Sequence, residues 1–221
     1  MRGEEFTLKR VMLCEGPHDE AFFRALIREH RLTEWHITNT SDGNKTGSNS
    51  LFGQKLLAFT TWRGFEGLTD VVVVADNDED PDVTFKFVQD QIEEARKLGA
   101  IQYAVPDQPY IKKTGTPAVT ICMMPAAGMK GNLEALCYIA ASNAAADVAK
   151  CVEQYSACVG SDKWGSQSKL SKMKLRSLLA GKHRTNPDIG LGRVWVQEPD
   201  LIPLNDACFS ELVNHLRAYE N

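Results

Sequence analysis

The sequence predicts an α/β fold, an open parallel sheet flanked by helices with a mainly helical C-terminal extension, and three observations carry that prediction. Apolar runs of strand length alternate with stretches of helical period from residue 9 to about residue 140. The run Val71-Val72-Val73-Val74 is apolar on both faces, as a strand covered by helices on both sides must be. A chain of 221 residues suits one domain of this class with an appendage, read here as a core at 1–140 and a helical extension at 141–221 packed on it.

The elements follow in order. Lys9 to Cys14 reads as a buried strand closed by Glu15-Gly16-Pro17, and a helix follows from Pro17 to Arg31, where Phe22, Phe23, Leu26 and Ile27 repeat at helical spacing. A short strand at Trp35 to Thr38 ends in the polar loop Asn39 to Ser50, and Leu51 to Trp62 is helical. Thr69 to Ala75 is the clearest strand; Val83 to Leu98 is a helix with Asp82 as N-cap and Gly99 as stop. Pro117 to Met124 supplies a fourth strand after a polar excursion. Helices are then expected at Leu133 to Ala141, Ala145 to Val159 (inward stripe Val148, Cys151, Val152, Tyr155), Lys169 to Ala180 and Asp206 to Tyr219. With right-handed crossovers, this order puts a ligand site at the carboxyl ends of the strands.

Composition excludes several classes. A chain that is 43% hydrophobic and 24% charged is globular rather than disordered. Its longest run of Val, Ile, Leu, Met and Ala, Val71 to Ala75, is far short of the ~18 residues of a membrane span, so no membrane partner is expected. The charged start MRGEEFTLKR precedes only four apolar residues, Val11 to Cys14, so no signal peptide and a cytoplasmic location are expected. The six cysteines lack CxxC spacing; Cys14, Cys122, Cys137, Cys151 and Cys158 sit among apolar neighbours and read as reduced, buried thiols rather than zinc ligands.

Charge is unevenly laid out. Residues 66–94 hold ten acids against Lys86, whereas residues 163–193 hold eight Lys and Arg against Asp188. An acidic cluster beside a basic flank suits a metal site that works on a phosphate polyanion. Within the acidic part, Glu15 leaves the first strand and Asp19 opens the helix after it. In VVVVADNDED, the alternation of an extended chain puts Asp76 and Asp78 on one side, where oxygen ligands favour Mg²⁺ or Mn²⁺. Glu79, Asp80 and Asp82 read as a helix-capping loop. An EF-hand fails because its Gly and final Glu positions are Pro81 and Phe87. Gly43 to Ser48 misses the Walker spacing, and no HExxH or GxSxG is present.

A Glu ending the first strand and a DxD ending the third, in this βα frame, resemble the Toprim domain of topoisomerases, bacterial primases and OLD-type nucleases. The resemblance is closer to bacterial Toprim-like proteins related to the OLD nucleases, and covers residues 9 to about 140. It implies that Glu15 is the family glutamate, that Asp76 and Asp78 are the metal-binding DxD, and that Asp19 is an acid often found in OLD-like members. It also implies that Gly131-Asn132-Leu133-Glu134 matches a G-x-L-E segment, adding Glu134 as a ligand. The sequence departs from DxDxxG at Pro81.

The expected function is a Mg²⁺- or Mn²⁺-dependent nuclease or related phosphoryl-transfer enzyme acting on DNA or RNA. Glu15 serves as ligand or general acid/base, and Lys172 or Lys174 offsets charge on the scissile phosphate. Lys169, Lys172, Lys174, Arg176, Lys182 and Arg184 are the expected nucleic-acid contacts. The alternatives are a metal- or nucleic-acid-binding module without turnover in a defence or repair complex, and a small-molecule phosphatase. A homo-oligomer is compatible with all three.

Overall fold

The computed structural model describes residues 4–41, 47–99, 102–183 and 185–220. The strands are β1 (Arg10–Cys14), β2 (His36–Asn39), β3 (Asp70–Asp76) and β4 (Ala118–Met124). The helices are α1 (Pro17–Glu29), α2 (Phe52–Phe59), α3 (Pro81–Gly99), α4 (Leu133–Ala144), α5 (Ala146–Cys158), α6 (Gln167–Lys182), α7 (Leu191–Gln197) and α8 (Ser210–Arg217). No helix among the described residues is long and apolar enough to cross a membrane.

The strands form one all-parallel sheet in the order β2-β1-β3-β4. Their residues alternate between two cores. Val11, Leu13, Val71, Val73, Val119, Ile121 and Met123 pack with Phe52, Leu56, Val88 and Ile92 from α2 and α3. Met12, Cys14, Val72, Val74, Cys122 and Met124 pack with Phe22, Phe23 and Leu26 of α1 and with the C-terminal helices. The valine run is therefore buried on both faces, each side chain contributing about 1.5–3 kcal/mol of burial.

This layering fixes where a site can form. From β1 the chain goes outward through α1 to β2, then returns past β1 to β3 through α2 on the other face. The winding direction reverses between β1 and β3, and in open α/β sheets such a reversal opens a crevice at the carboxyl ends of those strands.

The C-terminal helices pack on the core, but the boundary between the two is placed differently from expectation. The boundary at 140/141 falls inside α4, and Leu175, Leu178, Val194, Trp195, Phe209 and Leu216 share one core with Met12 and Phe22. Residues 141–221 thus supply much of one covering layer. Helix α7, not expected from the sequence, buries Leu191, Val194 and Trp195, with the Trp195 ring 5.5 Å from Phe22. In α5 the inward residues are Ala149, Val152 and Ser156, so Cys151 and Tyr155 lie outside, and Cys158 is exposed as well. All six cysteines are free. Helix α3 starts at Pro81 and is capped by Asp80, whose Oδ1 accepts from Val83 N–H at 3.1 Å, rather than by Asp82.

Candidate acidic site at the β1–β3 switch point

Glu15 directly follows β1, and its backbone is held on two sides. The Thr40 hydroxyl donates to the Glu15 carbonyl at 2.7 Å, while Thr40 N–H donates to Cys14 O at 3.1 Å. Gly47 approaches the same carbonyl so closely that a Cβ there would lie 1.9 Å from the oxygen; only glycine fits. The Glu15 side chain points into the crevice, where Oε2 is buried without a hydrogen-bond partner among the described residues. Burial, followed by the Asp19 and Asp78 carboxylates, pushes its pKa up to about 7, against the opposing pull of Lys172.

Asp19 has a local task and a shared one. Its Oδ2 accepts from Gly16 N–H at 2.8 Å at the start of α1, which is the capping role its position suggests. Burial raises its pKa to about 6 despite that hydrogen bond, and Glu134 adds to the rise. Asp19 is therefore both a helix cap and a member of the cluster.

At the end of β3 the chain is pinned from every side. Asp76 Oδ1 accepts from Leu133 N–H, the start of α4, at 3.0 Å. Its pKa is driven well above the ordinary aspartate value by burial and then by Asp19, Glu15 and Glu134. Asn77 is fully buried: its side-chain amide donates to Ala126 O at 2.6 Å and Met129 O at 2.5 Å, and its backbone carbonyl accepts from the Thr84 hydroxyl at 3.1 Å. Asp78 then adopts φ 49°, in the left-handed region, and exchanges two 2.8 Å backbone hydrogen bonds with Gly131, itself at φ 124°. Asn132 caps α4, accepting from Ala135 N–H at 3.2 Å. The Gly131 to Glu134 segment thus has a structural reason to be where it is: it completes the turn that carries Asp78.

The left-handed turn also corrects an expectation. Asp78 does not continue the alternation of β3, because β3 ends at Asp76; its Oδ1 accepts instead from the Ser168 hydroxyl at 2.9 Å. Glu79 joins it, accepting from Gln167 N–H at 3.1 Å and Ser168 N–H at 3.3 Å at the start of α6. Ser166 and these amides hold the Glu79 carboxyl below its usual range. Helix α6 is docked on the DxD loop by its first turn.

From that dock, helical spacing decides which basic residues face the acids. Lys172 stands four residues after Ser168, hence on the same face, and its charge acts on both Glu15 and Asp19. Lys174, expected as an alternative phosphate contact, is rotated away: its ammonium is 2.7 Å from Glu153 and 5.9 Å from the Tyr138 ring centroid. Lys169, Arg176 and Lys182 are exposed on α6, and Arg184 lies outside the described residues, as does most of the Gly43 to Ser48 loop.

The site therefore gathers Glu15, Asp19, Asp76 and Glu134 into one electrostatic neighbourhood with Asp78 at its margin. Among the described residues, no three His, Cys, Asp or Glu side chains already stand close enough to grip one cation. The reason is visible in the hydrogen bonds. Asp19, Asp76 and Asp78 are each turned toward a local donor, Gly16, Leu133 and Ser168. Sequence reasoning missed Thr40, Gly47, Asn77 and Ser168, which position the acids; of these, a buried Asn between two candidate ligands was the readable signal.

The family described as "Protein of unknown function (DUF3226)" matches residues 9–218. The chain belongs to that family. No curated protein and no solved structure matches it.

Proposed function

We propose that this member of the DUF3226 family is a Mg²⁺- or Mn²⁺-dependent nuclease of Toprim-like architecture, acting on DNA or RNA in the cytoplasm. The observation that carries the reading is the placement of mutually repelling carboxylates from β1, α1, β3 and α4 at the switch point, with one buried Glu15 oxygen lacking a partner. Each raised pKa records a carboxylate that an added cation would favour.

Oxygen donors alone suit a hard cation. Glu15 and Asp76 would hold it, with Asp78 joining if its carboxylate exchanges the Ser168 hydroxyl for the ion, and with Asp19 and Glu134 as further members. When bound, such an ion neutralises phosphate charge and supplies an activated water. The chain's own groups do the rest. In place of ligating the ion, Glu15 alternatively accepts and returns a proton, a role that its pKa of about 7 in the metal-free site suits. Lys172 approaches from α6 to offset phosphate charge, and Asn77 fixes the turn on which the carboxylates stand.

A second reading is favoured by one observation, the Ser168–Asp78 hydrogen bond, which leaves Asp78 already satisfied. In that reading the chain binds metal or nucleic acid without turnover, as a partner in a defence or repair complex. Incubation of the pure protein with supercoiled plasmid, linear DNA and RNA, each with Mg²⁺, Mn²⁺ or EDTA, separates the two. Metal-dependent strand scission lost in Glu15→Gln supports the nuclease; binding without scission in every metal supports the module. Release of phosphate from small esters alone would point to a phosphatase.

A further inference from the structure

We propose that the cleft between α1, α4 and α6 receives one unstacked nucleotide beside the scissile phosphate, making single-stranded nucleic acid the substrate class. The inference rests on the nuclease reading and deepens it. The cleft has a volume of about 400 Å³, within the range of small-ligand sites. Glu134, which follows the Leu133 N–H that holds Asp76 Oδ1 at 3.0 Å, forms part of its wall, so the cleft adjoins the proposed reaction centre.

Its lining is divided by chemistry. Leu175, Leu179 and Leu191 form an almost wholly buried floor, and the exposed Ala180 and Pro187 at the rim supply the apolar surface against which a flat base can lie. His18, Glu134, Arg176, Ser177 and Asp188 are the polar residues of the lining, and of these Arg176 and Asp188 carry charges that are not ion-paired with any other described residue. One free guanidinium suits one phosphate, and a carboxylate accepts from the exocyclic amino group of cytosine, adenine or guanine. The wall that carries Asp188 is built rather than loose: Asn186 N–H donates to His183 Nδ1 at 3.0 Å, Ile189 N–H donates to Asn186 O at 3.1 Å, and Ile189 is buried.

The geometry selects against a duplex. A recess walled by helices admits a base only after it has left its stack, and that cost is smallest in a strand already unpaired. A single cation beside an apolar wall also differs from the several phosphate contacts with which a duplex binder tracks a backbone.

The test is fluorescence anisotropy in Ca²⁺, without turnover, using a short labelled oligo-dC strand, oligo-dT of equal length, and a blunt duplex containing the same dC strand. The wild-type protein is expected to bind the single strand about tenfold tighter than the duplex, and oligo-dC tighter than oligo-dT. Ala180 is an exposed residue of the cleft rim, and Ala180→Trp fills the space; it should bring single-strand affinity down to the duplex level. Arg176→Gln should weaken both single strands several-fold. Equal affinity for single strand and duplex, or undiminished single-strand binding in Ala180→Trp, would overturn the proposal. A rise in melting temperature on addition of Mn²⁺, expected if the acids hold a cation, reads the acids independently. Its absence alongside cleft-dependent binding would refute the metal site and uphold the cleft, and the reverse pattern would refute the cleft alone.

Discussion

Strand β3 begins and ends on an aspartate, and the two ends have opposite surroundings. Asp70, at the amino end, is buried but supplied with cations: Arg10 at 3.7 Å, Lys112 in direct contact, and the Thr69 hydroxyl donating at 2.8 Å. Asp76, six residues along at the other end of the strand, meets Asp19, Glu15 and Glu134, and its pKa is driven up. The first is an ion pair that the chain completes by itself. The second is a charge deficit that the chain leaves open, and the difference separates a structural acid from one that awaits an external cation.

The largest expected effect is a reversal of sign between those two ends. Asp70→Asn strands Arg10 and Lys112 beside a buried neutral amide and should cost about 2–4 kcal/mol, less than a fully enclosed pair because Lys112 reaches solvent. Asp76→Asn, which removes repulsion, should leave the metal-free fold unchanged or raise its melting temperature. Urea unfolding in EDTA measures both, and equal destabilisation by the two changes would erase the distinction.

The next effect is on pH dependence. The folded-state pKa of Glu15, about 7, lies above its ordinary value of 4.5, so between these values the folded state binds more protons than the unfolded one. Stability from this group is therefore present at low pH and lost as pH rises through that window. The shift corresponds to about 3 kcal/mol at most, and partial solvent access reduces it to about 2. Asp19 and Asp76 act with the same sign. In EDTA, Glu15→Gln should flatten the fall in melting temperature between about pH 5 and about pH 8; a slope identical to wild type would place the repulsion elsewhere.

A smaller effect tests the turn that positions Asp78. Gly131→Ala forces a side chain onto φ 124° and toward Ala135 Cβ at 3.3 Å, and should cost about 1–2 kcal/mol. Metal-dependent activity should fall more than stability, because the turn places Asp78 and leaves both cores intact. The smallest contrast lies on α6. Lys172→Gln should weaken nucleic-acid binding several-fold, whereas Lys174→Gln should change it little and cost stability by roughly 0–1 kcal/mol through the Glu153 pair. Equal losses in binding would show that helix rotation does not select the contact.

How much of this was readable depended on how local the cause was. The valine run, the Glu15 exit and the strand–helix alternation are set by nearest-neighbour pattern, and all four strands appear within a residue or two of expectation. The orientation of Asp78 was not readable, because its left-handed φ depends on pairing with Gly131, more than fifty residues on. Lys174 and Cys151 faced other ways than expected because the rotation of α6 and α5 is set by docking: Ser168 meets Asp78, and Val152 enters the core. Helix α7 was missed because it is a single short segment bounded by Gly190 and stabilised by Trp195 against Phe22 rather than by any cap. The packing of the C-terminal helices on the core was readable, but the 140/141 boundary was not, because sequence order conceals that α4 runs through it and shares one core with β1 and α1.

The most direct measurement is the Mn²⁺-dependent shift in melting temperature of the wild-type protein, Asp70→Asn, and the double variant Asp76→Asn with Asp78→Asn. Asparagine tolerates the left-handed turn at position 78, so the double change removes charge without adding backbone strain. At a hundredfold excess over Kd the ion should stabilise the wild-type fold by about 2.7 kcal/mol, a rise of about 5–10 °C for a chain of this size. Asp70→Asn should keep that rise, from a lower starting point, and the double variant should lose it. An undiminished Mn²⁺ response in the double variant, or none in the wild type, would contradict a cation site at the β1–β3 switch point.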